Sequence, residues 1–185
     1  MTKTAAVFLG EGCEPTEAVA PVDVLTRGGV EVTCVSVMPT REVKSAYGAV
    51  LRADALVGEL DLAAFDALVL PGGMGGFENM SACEPLREAL CAAAADERRV
   101  VAAICAAPML LANLGLLEGR TATCYPGCEQ GTFPAGAYRR VIGAHACGNL
   151  VTASGPGQAL DFGFAVLEAL EGEEAVSRVK AGMLL

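Results

Sequence analysis

The chain of 185 residues has no tryptophan, one histidine, and only 13 Lys and Arg against 22 Asp and Glu. Each shortage excludes something. With a net charge of −9 and no basic run longer than the pairs Arg98-Arg99 and Arg139-Arg140, a nucleic-acid backbone or an anionic membrane is not the expected partner. With aromatics at 5% there is no platform on which bases could stack. The single His145, in the Gly-flanked stretch Gly143-Ala-His-Ala-Cys-Gly148, reads as a surface residue rather than a catalytic partner. Cysteines are plentiful, at positions 13, 34, 83, 91, 105, 124, 128 and 147, yet no Cys-x-x-Cys pair occurs, so neither zinc nor any other metal is expected. The opening Met-Thr-Lys-Thr leads into a short strand with no signal-peptide core, which predicts a reducing cytoplasmic setting without disulfides. The uncharged run Val100 to Leu117 is interrupted by Pro108, Asn113 and Gly115 and reads as strand then helix, not as a membrane span.

Apolar content of 53% is ample for the core of a single domain, residues 1–185. Ala5 to Leu9 reads as a strand, Pro15 to Leu25 as an amphipathic helix closed by Gly28-Gly29, and Val30 to Val37 as a second strand. This βαβ unit implies parallel pairing. Residues Pro39 to Asp54 suggest a hairpin, Ala67 to Leu70 a buried strand, and Pro71 to Gly76 a glycine-rich turn. A helix is predicted at Pro85 to Ala95, a strand at Val100 to Ile104, a helix at Pro108 to Leu117, and strands at Thr121 to Cys124, Tyr138 to His145 and Leu150 to Ala153. Helices near Ala159 to Leu170, with Ser154 as a candidate cap, and Glu173 to Lys180 close the chain. The alternation predicts an open α/β sheet covered on both faces, with ligands beyond the carboxyl ends of its strands.

Cys105 stands at the corner between the wholly apolar Val100 to Ile104 and the helix that begins at Pro108. Ala103 and Ala107 supply the small neighbours that a nucleophile at a strand-to-helix turn requires, and a helix N-terminus should favour thiolate. Glu17 opens the first helix, with Glu14 three residues before it. Should Glu17 face the same cleft, burial beside sulfur would raise its pKa and let it act as a proton donor or shuttle. The N-H groups of Gly72 and Gly73, with that of Ala106 just after the cysteine, are candidates for an oxyanion hole. Met74, Phe77 and Tyr125 are expected to set the size of the pocket.

Taken together, Gly12-Cys-Glu-Pro-Thr-Glu17, Pro21-Val-Asp-Val24, Leu68-Val-Leu-Pro-Gly-Gly73, Ala102-Ala-Ile-Cys-Ala-Ala-Pro108 and Ser154-Gly-Pro-Gly157 resemble, in order and spacing, the ThiJ/PfpI superfamily. The likeness is greatest to the branch of the Parkinson-disease protein deglycase and its bacterial homologues. It implies a flavodoxin-like three-layer α/β/α sandwich with a mostly parallel sheet and a nucleophile elbow, usually in a homodimer. By position, Cys105 matches the reactive, oxidation-sensitive cysteine, Glu17 its protonated partner, and Gly73 and Ala106 the backbone donors, with Gly72, Met74, Tyr125 and Glu14 around them. The activities implied are glyoxalase III-like conversion of 2-oxoaldehydes such as methylglyoxal, or removal of early glycation adducts, without any cofactor. A redox-sensing chaperone carrying Cys105 as a sulfinate is the alternative, and another small electrophile, such as an isocyanide or an imide, is a third. Relatives commonly place a histidine where Thr123-Cys-Tyr-Pro126 has Tyr125. A phenol titrating near 10 is a poor proton shuttle at neutral pH, so Glu17 must carry the acid-base work. Cys124 is a candidate resolving thiol for Cys105.

Overall fold

The computed structural model describes residues 2–185. In chain order the elements are β1 (Thr4–Leu9), α1 (Pro15–Arg27), β2 (Glu31–Ser36), β3 (Glu42–Lys44), β4 (Val50–Arg52), β5 (Ala55–Leu56), β6 (Ala67–Leu70), α2 (Met74–Ala82), α3 (Glu84–Ala94), β7 (Val100–Ile104), α4 (Pro108–Asn113), β8 (Ala144–Cys147), β9 (Leu150–Ala153), α5 (Ala159–Glu171) and α6 (Glu173–Gly182). Seven strands form one sheet in the order β5-β2-β1-β6-β7-β9-β8, parallel throughout except for the antiparallel edge strand β8.

The central strands β1, β6 and β7 are almost wholly buried because helices cover both faces, and this is why they read as continuous apolar runs. On one face Val24 and Leu25 of α1, Phe162, Val166 and Leu167 of α5, and Val176 and Val179 of α6 pack on Val7, Val69 and Ile104. On the other, Met80 of α2, Leu86 and Leu90 of α3, and Leu110 and Leu111 of α4 pack on Phe8, Leu68 and Val101. The result is the sheet covered on both faces that the alternation predicts, in the flavodoxin-like three-layer α/β/α sandwich that the resemblance implies.

Four local expectations need correction. Thr121 to Cys124 is not a strand; Ala122 makes only an isolated bridge with Tyr138. The strand expected at Tyr138 to His145 lies later, at Ala144–Cys147, paired with β9 through His145 opposite Thr152. The helix after Cys105 stops at Asn113, since Gly115 enters the left-handed region at φ 73°. Ser154 does not cap α5: its hydroxyl donates to Gln158 Oε1 at 2.9 Å across a short 3-10 turn, and Gln158 stands at the helix start. In addition, the glycine-rich turn ends at Gly73, and Met74 already begins α2.

Candidate functional site

The site gathers three loops at the carboxyl ends of β1, β6 and β7, where a parallel sheet presents its ligand crevice. Cys105 follows β7 directly and takes φ 64°, a conformation that non-glycine residues seldom adopt. Its N-H donates to Ala153 O at 3.0 Å, and its carbonyl accepts from Tyr125 N-H at 2.8 Å, so neighbouring elements hold the strained turn. This is a nucleophile elbow in geometry as well as in sequence.

Glu17 lies in the first turn of α1 and is 0% exposed. Its Oε2 accepts from the Gly72 N-H at 2.9 Å, while Oε1 is buried without an oxygen or nitrogen partner. Gly72 separates the carboxyl from the thiol: a Cβ there would stand 2.5 Å from Cys105 Cβ and 2.6 Å from Glu17 Oε2. Only glycine lets the two groups close on each other. Gly73, at φ 83°, would drive a Cβ into the Gly12 carbonyl and to 2.7 Å from the Glu14 nitrogen. The β6–α2 turn is therefore seated on the β1–α1 loop, and Glu14 N-H donates to Gly72 O at 3.0 Å. Glu14 caps α1 by accepting the Glu17 N-H at 2.7 Å, an ordinary N-cap role held in a buried position.

Burial raises the Glu17 carboxyl to about 7 and the Glu14 charge adds to the rise; the Gly72 N-H and the adjoining Cys105 thiol oppose it. For Cys105 burial comes first and the Glu17 charge second, and together they push the thiol up to about 12 against the lowering effect of the Gly73 and Ala106 N-H groups. The expectation of a thiol depressed by a helix end is thus reversed. Helix α4 is six residues long and starts three positions beyond Cys105, so desolvation and a neighbouring carboxyl outweigh its dipole. The proton most easily lost by the pair is that of Glu17.

Gly72 is not available as an oxyanion donor, because its N-H is committed to Glu17; Gly73 and Ala106 are the backbone donors directed at Cys105. A cavity of about 310 Å³ opens over Cys105, with Glu14, Gly73, Met74, Ala106 and Tyr125 among the residues in its wall. Gly72 and Phe77 are not: the first is buried between the two groups of the pair, and the second packs into the core below α2. Sequence reading missed Ala46, Tyr47, Cys128 and Pro156 as residues of the wall. Ala46 and Tyr47 sit at the tip of the β3–β4 hairpin, which is tied to the β1–α1 loop by Ala46 N-H to Cys13 O at 2.9 Å and Gly12 N-H to Lys44 O at 2.8 Å. Cys128 closes the Tyr125–Cys128 turn, its N-H donating to Tyr125 O at 2.9 Å. Tyr125 is half exposed, with its ring atoms Cδ2 and Cε2 against Gly155. Cys124 is buried and points to Glu129 Oε2 at 3.8 Å, so Cys128 rather than Cys124 shares the cavity with Cys105. His145 is bonded to Thr121 Oγ1 at 2.8 Å and does not line the cavity. Among the described residues no cluster of three or more His, Cys, Asp or Glu is placed to hold a metal ion, all eight cysteines are free, and no helix is long and apolar enough to cross a membrane.

Known proteins resemble this chain over most or all of its length. The protein is 37% identical to DJ-1 homolog A of Arabidopsis thaliana, matching all of this chain but 47% of that protein, so the chain spans about half its length. It is 30% identical to the glutathione-independent glyoxalase DJR-1.2 of Caenorhabditis elegans, over 93% of this chain and 91% of that one. The structure of oxidized Toxoplasma gondii DJ-1 superposes with a TM-score of 0.93 at 32% identity, covering 99% of this chain and 98% of its own. The family profile itself spans residues 3–169, and the chain belongs to the DJ-1/PfpI family.

Proposed function

We propose that the protein is a cofactor-independent enzyme of carbonyl stress in which Cys105 and Glu17 convert 2-oxoaldehydes such as methylglyoxal to 2-hydroxy acids. The observation that carries this reading is the buried Glu17–Cys105 pair across Gly72, with a carboxyl that titrates near 7 beside a thiol that does not. A named glyoxalase among the relatives supports it.

The chemistry follows from where the protons reside. Ionised Glu17 takes the thiol proton as Cys105 Sγ bonds to the aldehyde carbon, and the new alkoxide is held by the Gly73 and Ala106 N-H groups. Glu17 returns the proton to that oxygen, leaving a neutral hemithioacetal. The carboxylate then removes the C1 hydrogen as a proton, leaving an enediolate, and delivers it to C2 while the hydroxyl proton on O1 passes to O2; C1 becomes the thioester carbonyl and C2 the carbinol, with no external redox partner consumed. Water cleaves the resulting thioester to the hydroxy acid and regenerates the thiol. Displacement of the amine from the carbinol carbon of an early glycation adduct by the same thiol, the amine leaving with the proton that Glu17 takes from Cys105, would give the same hemithioacetal and account for deglycase activity. The resemblance also implies a homodimer, and the apolar groove formed by Leu9, Val19, Val22 and Leu51 is a surface available to it.

The test is lactate formation from methylglyoxal by the purified protein, followed across pH. The rate is expected to rise through pH 7 as Glu17 ionises and to level above it. Absence of lactate from the wild-type protein, or a rate that falls through that range, overturns the reading.

A second reading rests on the same donors. The Gly73 and Ala106 N-H groups and a protonated Glu17 would stabilise a Cys105 sulfinate, and a structural neighbour is an oxidized DJ-1. Mild peroxide is then expected to add two oxygens to Cys105 alone in intact-mass and peptide measurements. Oxidation spread over several of the eight cysteines argues against it.

A further inference from the structure

We infer that the Cys105 cavity selects its carbonyl compounds by charge, admitting neutral and cationic ones and rejecting those that carry a carboxylate or phosphate, with Glu14 as the residue that sets this preference. The inference rests on the carbonyl chemistry proposed above and names its substrate class.

Of the ten residues that line the cavity, none is Lys, Arg or His, and Glu14 is the one charged side chain. Lys44, on the hairpin that supplies Ala46 and Tyr47, is exposed and does not reach the wall. Glu14 is 8% exposed, and one of its carboxylate oxygens is fixed on the Glu17 N-H at 2.7 Å, so the group cannot swing away. Its charge already acts on its surroundings, raising both Glu17 and Cys13. Buried Glu17 lies behind Cys105 and adds negative charge whenever it is ionised. An entering anion would therefore lose its hydration in a half-enclosed space against one or two carboxylates, with backbone N-H and tyrosine hydroxyl groups but no cationic side chain of this chain's wall in compensation. The Gly73 and Ala106 N-H groups suit a single developing alkoxide, not a permanent charge elsewhere on the substrate. Methylglyoxal, or a carbonyl joined to a protonated amine, meets no such obstacle. The exposed Met74, Tyr47 and Tyr125 around the mouth offer apolar and π surface that tolerates a cation.

Iodoacetamide and iodoacetate test this without requiring turnover. Both alkylate a thiol by displacing iodide, are nearly the same size, and differ by one negative charge. Peptide mapping after brief treatment gives the alkylation rate of Cys105 for each. Relative to the same pair acting on a small free thiol, iodoacetate is expected to be slower at Cys105 by a further factor of about ten. Glu14→Gln keeps an oxygen to cap α1 and should shrink that factor to about threefold or less. Raising the salt concentration on the wild-type protein should narrow it as well, a measurement that stands should the variant fail to fold. A wild-type ratio equal to that of the free thiol overturns the inference, as does a ratio that Glu14→Gln leaves unchanged. Because the readout is alkylation, charge selection can fail while lactate is still formed, and it can hold where no lactate appears.

Discussion

Cys105→Ser is expected to remove lactate formation from methylglyoxal to below about one part in 10³ of the wild-type rate, and Glu17→Gln to lower it by about 10² to 10⁴. The two losses differ in kind. A serine hydroxyl at φ 64° fits the space of the thiol, but it is a weaker nucleophile, and a carboxylate titrating near 7 is too weak a base to activate it. No covalent adduct should form. Glutamine keeps an oxygen for the Gly72 N-H yet can neither take the thiol proton nor carry hydrogen from C1 to C2. It leaves the thiol beside a neutral amide, so the hemithioacetal should still form by way of solvent and then stall. Intact-mass measurement with methylglyoxal should show an adduct on Glu17→Gln and none at position 105 of Cys105→Ser. If Glu17→Gln keeps more than about a tenth of the wild-type rate, a different group moves the proton, and the role assigned to Glu17 fails.

That dependence on one carboxyl follows from what surrounds it. Tyr125 occupies the loop beside Cys105, and the structure turns its ring toward Gly155 and uses its backbone N-H to hold the Cys105 carbonyl. The lone histidine is occupied on the β8 edge with Thr121. The cavity therefore holds no imidazole, and the proposed scheme leaves Glu17 as the base for each step.

The parts of this arrangement that were legible in sequence are those with a local cause. Val100 to Ile104 is apolar on every residue because β7 is covered on both faces, and the small residues around Cys105 mark a tight corner whatever the rest of the fold does. Gly72 and Gly73 were visible as a turn, but their separate duties were not. Whether a glycine N-H points to a carboxylate 55 positions earlier or to a sulfur depends on how β1 and β6 register, through Ala5 opposite Ala67, which no local pattern encodes. The same reasoning explains Ala46 and Tyr47. The hairpin was expected, but its return over the β1–α1 loop rests on backbone bonds whose signal does not depend on side-chain identity. The thiol departs from the expectation because desolvation outweighs the helix N-terminus, and burial is a property of the packed site rather than of the corner. The missed end of α4 and the misplaced β8 have a common origin in glycine: residues 115 to 143 include several glycines at positive φ that break any sustained period.

Glu17→Gln is also expected to make the protein more stable at alkaline pH, by about 2 to 3 kcal/mol at pH 8, with little change at pH 5. The folded protein raises the carboxyl from 4.5 to about 7, so it binds this proton more tightly than the unfolded chain does. Between those values the native state holds the extra proton, and wild-type stability falls as pH rises, reaching its full loss once Glu17 is ionised above pH 7. Glutamine has no charge to bury and removes that slope. The thiols do not obscure the comparison, since Cys105, raised to about 12 from 9.0, begins to contribute only above pH 9, beyond the measured range. At roughly 2 to 4 °C per kcal/mol for a chain of this size, Tm should rise by about 4 to 12 °C at pH 8. Thermal or urea unfolding of both proteins from pH 5 to 8.5 decides the matter. A difference that stays flat across this range would mean that Glu17 is solvated or already paired in solution, and the group proposed to drive catalysis would lose the strained protonation on which its reactivity rests. Gain of stability together with loss of turnover in the same variant is the signature of a carboxylate kept buried for function rather than for folding.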